Sequence, residues 1–250
     1  MWIELSDGKE NDWDTSFKIC QRAFQNDSFY MYTHPDAEIR RKFLAVYYND
    51  TYLGHLKEGY GLLSLLKVKE GNEIKIIGAI AGSYISGKEL SKEDDDRLSQ
   101  IDKESWERYK RHAEWEEQSY ENEFGELGEK LGVTVIYGIF HAIADGYRGK
   151  GIGSKFLLKA MQMQSDEVMR REKLAGIPNS KMPFSYAISD HPKSRNFCKK
   201  IGMIELAQVR SYQPADLCKE LSYMWIFVLP SLPLSYINAA KKIFVLPANL

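Results

Sequence analysis

The chain has 250 residues, 44% of them hydrophobic and 12% aromatic, which is enough to bury a sizeable core. Its 34 Lys and Arg residues nearly balance 35 Asp and Glu residues, so it lacks the basic excess typical of proteins with a nucleic-acid partner. The three cysteines, Cys20, Cys198 and Cys218, form no CxxC pair. This sparse set argues against a disulfide scaffold and a cysteine zinc site, and predicts a reducing compartment.

Membrane and export signals are weak throughout the sequence. No stretch reaches the roughly 20 apolar residues that cross a bilayer. Residues 1–7 lack the basic start and apolar run of a secretory signal. We therefore expect a cytoplasmic protein without an integral membrane segment. The most hydrophobic stretch, Trp225–Leu250, is interpreted as a last strand with a docked tail over 230–250, and an interfacial membrane helix is the alternative.

The first part of the chain predicts a short strand, two helices and a hairpin. In chain order these are a strand at Trp2–Leu5, a helix capped by Asp12 or Asp14 and closed by Asn26-Asp27-Ser28, a helix after Pro35, and strands at Gly61–Val68 and Ile74–Ile85. Gly71 and Asn72 between the last two strands indicate a tight turn, so the pair is expected to be antiparallel.

Residues 88–123 differ from the rest in charge. They hold thirteen acidic and seven basic residues, an excess of six negative charges. Apolar residues near helical spacing, from Leu98 to Ala113, predict a partly exposed amphipathic helix. We interpret 88–130 as a charged helical insertion in a single domain over 1–250. Its acidic face is either solvated or a wall that attracts a cationic substrate.

Strand and helix patterns alternate in the remainder of the chain. Strands are predicted at Val133–Ala144, Met182–Ile188, Met203–Tyr212 and Ser222–Leu229, and helices at Gly151–Arg171 and His191–Ile201. This order predicts a mixed sheet with helices on its faces.

A glycine-rich loop at 147–154 follows an apolar strand and opens a helix. Glycines at 149, 151 and 153 allow a ligand to approach the backbone, and free amides at the helix start point toward it. The helix dipole adds about half a positive charge there, and Arg148 and Lys150 add more. The loop therefore has the properties of a phosphate cradle. Its spacing fits neither a Walker loop nor a dinucleotide fingerprint.

Arg148, Gly151 and Gly153 fit the pattern Arg/Gln-x-x-Gly-x-Gly/Ala, and here the chain resembles the GNAT superfamily of acyl-CoA N-acyltransferases. Ser189–Met203 resembles the second motif of that superfamily. Ala23–Phe29 is similar to the start of puromycin acetyltransferase-like enzymes, and arylalkylamine acetyltransferases share the helical insertion. The resemblance implies an α/β (α+β) GNAT fold with a mixed, mostly antiparallel central sheet of about seven strands.

The resemblance also implies acetyl-CoA as the acyl donor, with no metal. In the superfamily the loop holds the pyrophosphate, and backbone N–H groups of the preceding strand polarise the thioester carbonyl. The residues assigned to the cofactor in this way are Ala142, Ile143, Ala144, Arg148, Gly149, Lys150, Gly151, Ile152, Gly153, Ser154, Ser194 and Phe197.

Candidate catalytic residues come from the strand before the loop and from its surroundings. Strand alternation places Tyr137, Ile139 and His141 on one face. Several superfamily members carry Glu or His at the first two of these positions and this chain does not; Tyr137 is a candidate by its position. His141 is either a general base, since imidazole titrates near neutrality, or a histidine satisfied by the sheet.

Two further candidates lie outside that strand. Asp27 is either a second candidate base, as in related amine acetyltransferases, or a cap. Cys198 occupies the place of the superfamily's acid, a Tyr. It is either a proton donor, given a thiol pKa of about 8.5, or buried and inert.

The activity expected from these residues is direct acetyl transfer from acetyl-CoA to a primary amine of a small molecule, by a monomer or homodimer. Two alternatives stay open: a protein or peptide N-acetyltransferase, and a non-catalytic acyl-CoA-binding protein.

Overall fold

The computed structural model describes residues 2–84, 91–177, 180–189, 191–210 and 223–244. Within these ranges seven strands form one sheet in the order β1-β2-β3-β4-β5-β7-β6. They are β1 (Trp2–Asp7), β2 (Gly61–Glu70), β3 (Glu73–Ser83), β4 (Val135–Ile143), β5 (Phe184–Ser189), β6 (Ile204–Arg210) and β7 (Tyr223–Val228). The predicted mixed sheet of about seven strands is confirmed.

Helices lie on both faces of this sheet. They are α1 (Trp13–Phe24), α2 (Ser28–Thr33), α3 (Ala37–Val46), α4 (Leu53–Lys57), α5 (Lys92–Ser99), α6 (Lys103–Glu116), α7 (Asn122–Leu131), α8 (Ile152–Leu174), α9 (Pro192–Lys200) and α10 (Leu234–Phe244). Short 3-10 or π-helical segments cover Glu10–Asp12, Tyr47–Tyr52 and Glu117–Glu121. Parts of the elements and motifs predicted from the sequence lie outside the described ranges, at residues 85, 88–90, 190, 211–212, 218, 222 and 245–250.

The neighbours β4 and β5 are parallel, and the other neighbouring strands are antiparallel. Pairing between β4 and β5 extends only from Val135 opposite Phe184 to Gly138 opposite Ala187. Strand β4 continues to Ile143 without this partner. The two strands therefore separate and leave an opening in the middle of the sheet.

A β-bulge interrupts β4 at this point. Gly82 of β3 faces Gly138, whereas the preceding Ala81 faces Phe140, so Ile139 is an extra residue. An extra residue moves the following side chains to the other face. The prediction that Tyr137, Ile139 and His141 share one face is therefore wrong.

The two faces carry different helices. On one, Gln164 of α8 donates to the Ile80 carbonyl (3.0 Å), and α9 reaches His141 through Phe197, whose ring stacks on the imidazole. On the other, Phe124 of α7 stacks on Tyr186, and α1, α3 and α6 cover the central strands. This division places the glycine-rich loop and the charged insertion on opposite sides of the sheet.

The charged insertion forms several helices, which corrects the prediction of a single amphipathic helix. After α5, Asp102 adopts an extended backbone conformation and its side chain caps α6 by accepting from the Ser105 amide. Trp106 is fully buried, and its indole N–H donates to Asp95 (2.8 Å). Gly132, with φ +62°, ends α7. Asp102, a capping residue in the middle of the charged insertion, therefore divides the predicted helix into α5 and α6.

Local caps also differ from the predictions. Asp12 precedes α1 without a side-chain capping bond, and Asp14 instead pairs with Lys18. Asp27 does not only close α1; it caps α2, which the sequence pattern does not predict. The buried Arg40 donates to the Gln25, His34 and Pro35 carbonyls and so connects α1, α2 and α3. These bonds fix the backbone on either side of Asp27.

At the carboxyl end, α10 packs on α7 and β6 and buries Ile237 and Ala240. None of the helices in the described ranges has the length and apolar character that spanning a membrane requires.

Candidate active site

The turn before α8 depends on glycines in the left-handed region. Gly149 has φ +74° and Gly151 has φ +71°, conformations that other residues rarely adopt. Gly151 is the residue at which α8 begins, so the first amides of this helix have no helical partner. The helix dipole and these amides together favour an anion at this position.

The basic residues of the loop are held by local contacts. Arg148 donates to the Ile143 carbonyl (2.7 Å) and pairs with Asp145 (3.2 Å). The ammonium of Lys150 lies 5.3 Å from the ring centre of Tyr147, and the Tyr147 hydroxyl bonds to Glu70. These contacts keep two positive charges beside the start of α8.

A cleft of about 480 Å³ lies against this loop. Of the residues assigned to the cofactor, it is lined by Ala142, Ile143, Arg148, Gly149, Gly151, Ile152, Gly153, Ser154 and Phe197. A Cβ atom at Gly149 would meet nothing within 4 Å, and one at Gly151 only Ser154 Oγ at 3.8 Å, so the turn is open to a ligand. The donors and the space fit a diphosphate. Ala144 and Lys150 are not among the lining residues, and Ser194 faces another cavity.

The amides of β4 divide between β3 and the opening. The Ala144 N–H donates to the Ile77 carbonyl (2.8 Å), so the expectation that it polarises a thioester is wrong. Successive strand amides point in opposite directions. Ala142 therefore shares the direction of Ala144, whereas His141 and Ile143 direct their N–H groups toward the side that β5 has left.

The opening between β4 and β5 contains a second cavity of about 200 Å³. Its walls come from both faces of the sheet and include Phe24 and Asp27 on one side and Met161 and Gln164 on the other. The cavity and the cleft share four lining residues: Phe24, Asp27, His141 and Phe197. The cleft and the cavity therefore adjoin at these residues.

His141 lies between α8 and α9. Its ring stacks on Phe197 at 5.8 Å, and a Cβ atom at Gly153 would come within 2.9 Å of it. Burial lowers the pKa of His141 to about 4. The expectation that this imidazole titrates near neutrality is wrong. It is neutral at pH 7 and a weak base.

Cys198 lines the central cavity and is 8% exposed. Burial raises the pKa of its thiol to about 11. The thiol is therefore a weaker acid than an ordinary cysteine, and proton transfer from it to a departing thiolate is unfavourable. The environment supports a buried, unreactive cysteine.

Asp27 occupies the junction of the two spaces. One carboxylate oxygen accepts from the Phe29 amide (3.0 Å) and so caps α2. The residue also lines both the cleft and the central cavity. The sequence predicted that Asp27 is either a candidate base or a helix cap. Because this side chain caps α2 and also lines both spaces, the two roles do not exclude each other.

Three lining residues outside the predicted site are Phe24, Lys200 and Gln164. Phe24 ends α1, Lys200 ends α9 beside the cleft, and Gln164 of α8 bonds across to β3. Lys200 lies in the second motif. Its positive charge there is a feature of the sequence from which a role beside the phosphate cradle could be predicted. Gln164 has no such signal, because its contact depends on how α8 lies on the sheet.

No known family profile and no curated protein matches the chain. Solved structures do. The chain is similar to a mosquito protein, arylalkylamine N-acetyltransferase like 5b, with a TM-score of 0.53 at 14% identity, covering 91% of this chain and 99% of that one. It is also similar to a mutant of agmatine N-acetyltransferase without ligand, with a TM-score of 0.52 at 11% identity, covering 91% and 98%.

The separated parallel strands, the glycine-rich turn and these structural similarities define the fold. The chain has the fold of the GNAT superfamily of acetyltransferases.

Replacing Gly151 with Asp tests the diphosphate cradle. Asp tolerates the left-handed backbone of this position better than most residues, but its charge would repel a diphosphate. We expect coenzyme A to bind at least about tenfold more weakly to Gly151→Asp than to Gly151→Asn, as measured by calorimetry. The Asn variant is the matched control, because it has the same shape without the charge. Equal affinities of the two variants would contradict the cradle.

The pKa of His141 predicts a pH dependence of stability. The folded protein holds this imidazole neutral down to about pH 4, whereas the unfolded chain takes up a proton near pH 6.5. Stability therefore falls as the pH is lowered through this window. Denaturant unfolding should show a smaller loss in His141→Gln. Some loss remains, because burial and Arg108 also lower the pKa of His34 to about 4. Equal losses in both proteins would refute this assignment.

Proposed function

We propose that the chain is an acetyl-CoA-dependent N-acetyltransferase that transfers the acetyl group directly to a primary amine of a small molecule. The observation that carries this proposal is the pair of adjoining spaces that lies between the start of α8 and the opening between β4 and β5. It offers anion-binding amides at one end and unpaired strand amides further along. This arrangement suits a long donor with a diphosphate and a thioester.

The residues of the chain then have distinct roles. Amides of Gly151 to Ser154, with Arg148 and Lys200, hold the diphosphate. The His141 and Ile143 N–H groups polarise the thioester carbonyl. Acetyl-CoA supplies the acetyl group as a thioester. The neutral amine attacks the carbonyl carbon, the C–N bond forms, and the C–S bond breaks with its electron pair on sulfur.

The proton released by the attacking nitrogen passes to Asp27, directly or through one water. Asp27 is preferred to His141 because it lies at the start of α2, on the side of the cavity away from α8, whereas the imidazole is held between α8 and α9.

Two observations favour a small acceptor over a protein or peptide. Helices α1, α3 and α6 pack together over the central strands and cover the side opposite the loop. Both similar structures described above are named for acetyltransferases of small amines. The alternative of a non-catalytic acyl-CoA-binding protein is tested by measuring the release of coenzyme A with a panel of amines. Binding of acetyl-CoA without release of coenzyme A for any amine would favour that alternative.

Replacing Asp27 with Asn tests the assigned base. Asn caps a helix as well as Asp does, so α2 should persist, but the amide cannot accept the proton. We expect kcat/KM to fall by about a hundredfold or more, with the affinity for acetyl-CoA unchanged within about threefold. The measurement is release of coenzyme A with a panel of amines, beside thermal unfolding of both proteins. Unchanged kcat/KM in a folded Asp27→Asn protein would remove Asp27 from the mechanism.

A further inference from the structure

Two carboxylates of the charged insertion, in helical segments that precede β4, are partly buried. Glu116 ends α6, and Glu121 ends the π-helical segment that follows. In a π-helical turn, i→i+5 hydrogen bonds bring residues five positions apart close together. The side chain of Glu116 is 21% exposed. Burial, followed by the charge of Glu116, raises the pKa of Glu121 to about 7, as expected for neighbouring carboxylates in a confined place.

No lysine or arginine among the described side chains pairs with either carboxylate. Glu116 accepts a bond from the Tyr120 hydroxyl (2.5 Å) and lies 3.6 Å from Nδ1 of His112. The nearby Lys110 pairs instead with Asp95 and Glu107. Confining two carboxylates without a cation is unfavourable. The pair therefore has unused capacity for a positive charge.

Two buried polar atoms around the pair have no hydrogen-bond partner in the described part of the chain, although one of them, Nδ1 of His112, is within 3.6 Å of Glu116. The Tyr186 hydroxyl belongs to a fully buried side chain, and Nδ1 of His112 belongs to one that is 6% exposed. Tyr186 stacks at 4.0 Å on Phe124 of α7, the helix that follows Glu121, and after burial the charges of Glu121 and Glu116 raise its pKa. Buried polar atoms are nearly always hydrogen-bonded, to protein or to ordered water, so a polar group, from water or from a ligand, would satisfy these two.

Aromatic rings complete the surroundings. The ring of Phe29 lies 4.5 Å from that of His112 and 5.8 Å from that of Tyr109. Burial raises the pKa values of Tyr47, Tyr109 and Tyr137, and the charge of Glu116 adds to each shift. The ring of Trp115 is 5.6 Å from that of His112. Aromatic faces attract ammonium and guanidinium groups. The lining thus combines negative charge with rings, which is the chemistry that binds an organic cation.

The pair also lies beside the reaction space. Tyr137 stacks on Tyr186 at 5.3 Å and is followed in β4 by Gly138 and Ile139, which line the central cavity. Because of the bulge at Ile139, the side chain of Tyr137 is on the opposite face from His141 and α8. A molecule that contacts the carboxylates therefore approaches the opening from the side opposite the glycine-rich loop.

We propose that Glu116 and Glu121 bind a second cationic group of the acceptor, so that the preferred substrates are diamines, polyamines or amines with a guanidinium group. This inference rests on the proposed acetyl transfer. The reacting nitrogen must lose its charge before it attacks, whereas a remote ammonium or guanidinium remains charged. A pair of carboxylates away from the thioester suits the remote group and sets its distance from the reacting nitrogen.

The test compares linear diamines with monoamines of the same chain lengths, with acetyl-CoA as donor. In the wild-type protein we expect kcat/KM to be at least about tenfold higher for the best diamine than for its matched monoamine. Glu121→Gln and Glu116→Gln should remove most of this preference through KM, with monoamine kcat/KM changed by less than about threefold. Glu114→Gln is the matched control, because Glu114 is an exposed carboxylate of the same helix. Thermal unfolding checks that each variant is folded.

Other results would overturn the second-cation site. Equal kcat/KM for diamines and monoamines in the wild-type protein would do so, as would equal losses for both in Glu121→Gln, which would assign the pair to the reacting nitrogen. If no amine is acetylated, the proposed function fails separately. Calorimetric binding of diaminobutane to the wild-type protein and to Glu121→Gln then tests the cation site alone, and equal affinities, or no binding to either, would reject it.

Discussion

The separation of β4 from β5 is the constraint on which the rest of the structure depends. Parallel pairing stops at Gly138 and Ala187, so the amides beyond it face an opening instead of a strand. Unpaired buried amides are unfavourable unless water or a ligand satisfies them. Phe197 and Cys198 of α9 line the opening without closing it. A folded chain that keeps this gap is prepared to hold an extended ligand there.

The bulge at Ile139 divides the functions between the two faces. On the side of α8, His141 lies next to Gly153 and the diphosphate cradle. On the other side, Tyr137 stacks on Tyr186, and burial followed by the charges of Glu116 and Glu121 raises its pKa. Donor and acceptor would therefore approach the opening from opposite faces and meet at the carbonyl. This geometry keeps the negative charges of the insertion away from the anionic end of the donor, where they would weaken binding.

The amino-acid sequence predicts the structural features that depend on residues close together in the chain. The glycine-rich loop and the hairpin are of this kind, because φ preferences and short-range turns determine them. The prediction that Tyr137 and His141 share one face was wrong, because the bulge between them depends on pairing with Ala81 and Gly82 of β3, which is distant in the chain. The low pKa of His141 depends on burial beneath α8 and α9, to which Gly153 and Phe197 contribute, and this appears only in three dimensions.

A crystal structure with bound coenzyme A tests the central claim most directly. The diphosphate should lie within hydrogen-bond distance of the amides at the start of α8, with the pantetheine arm between β4 and β5 and the sulfur near the opening. A diphosphate bound elsewhere, or an arm that runs outside the sheet while β4 and β5 pair along their full length, would contradict it.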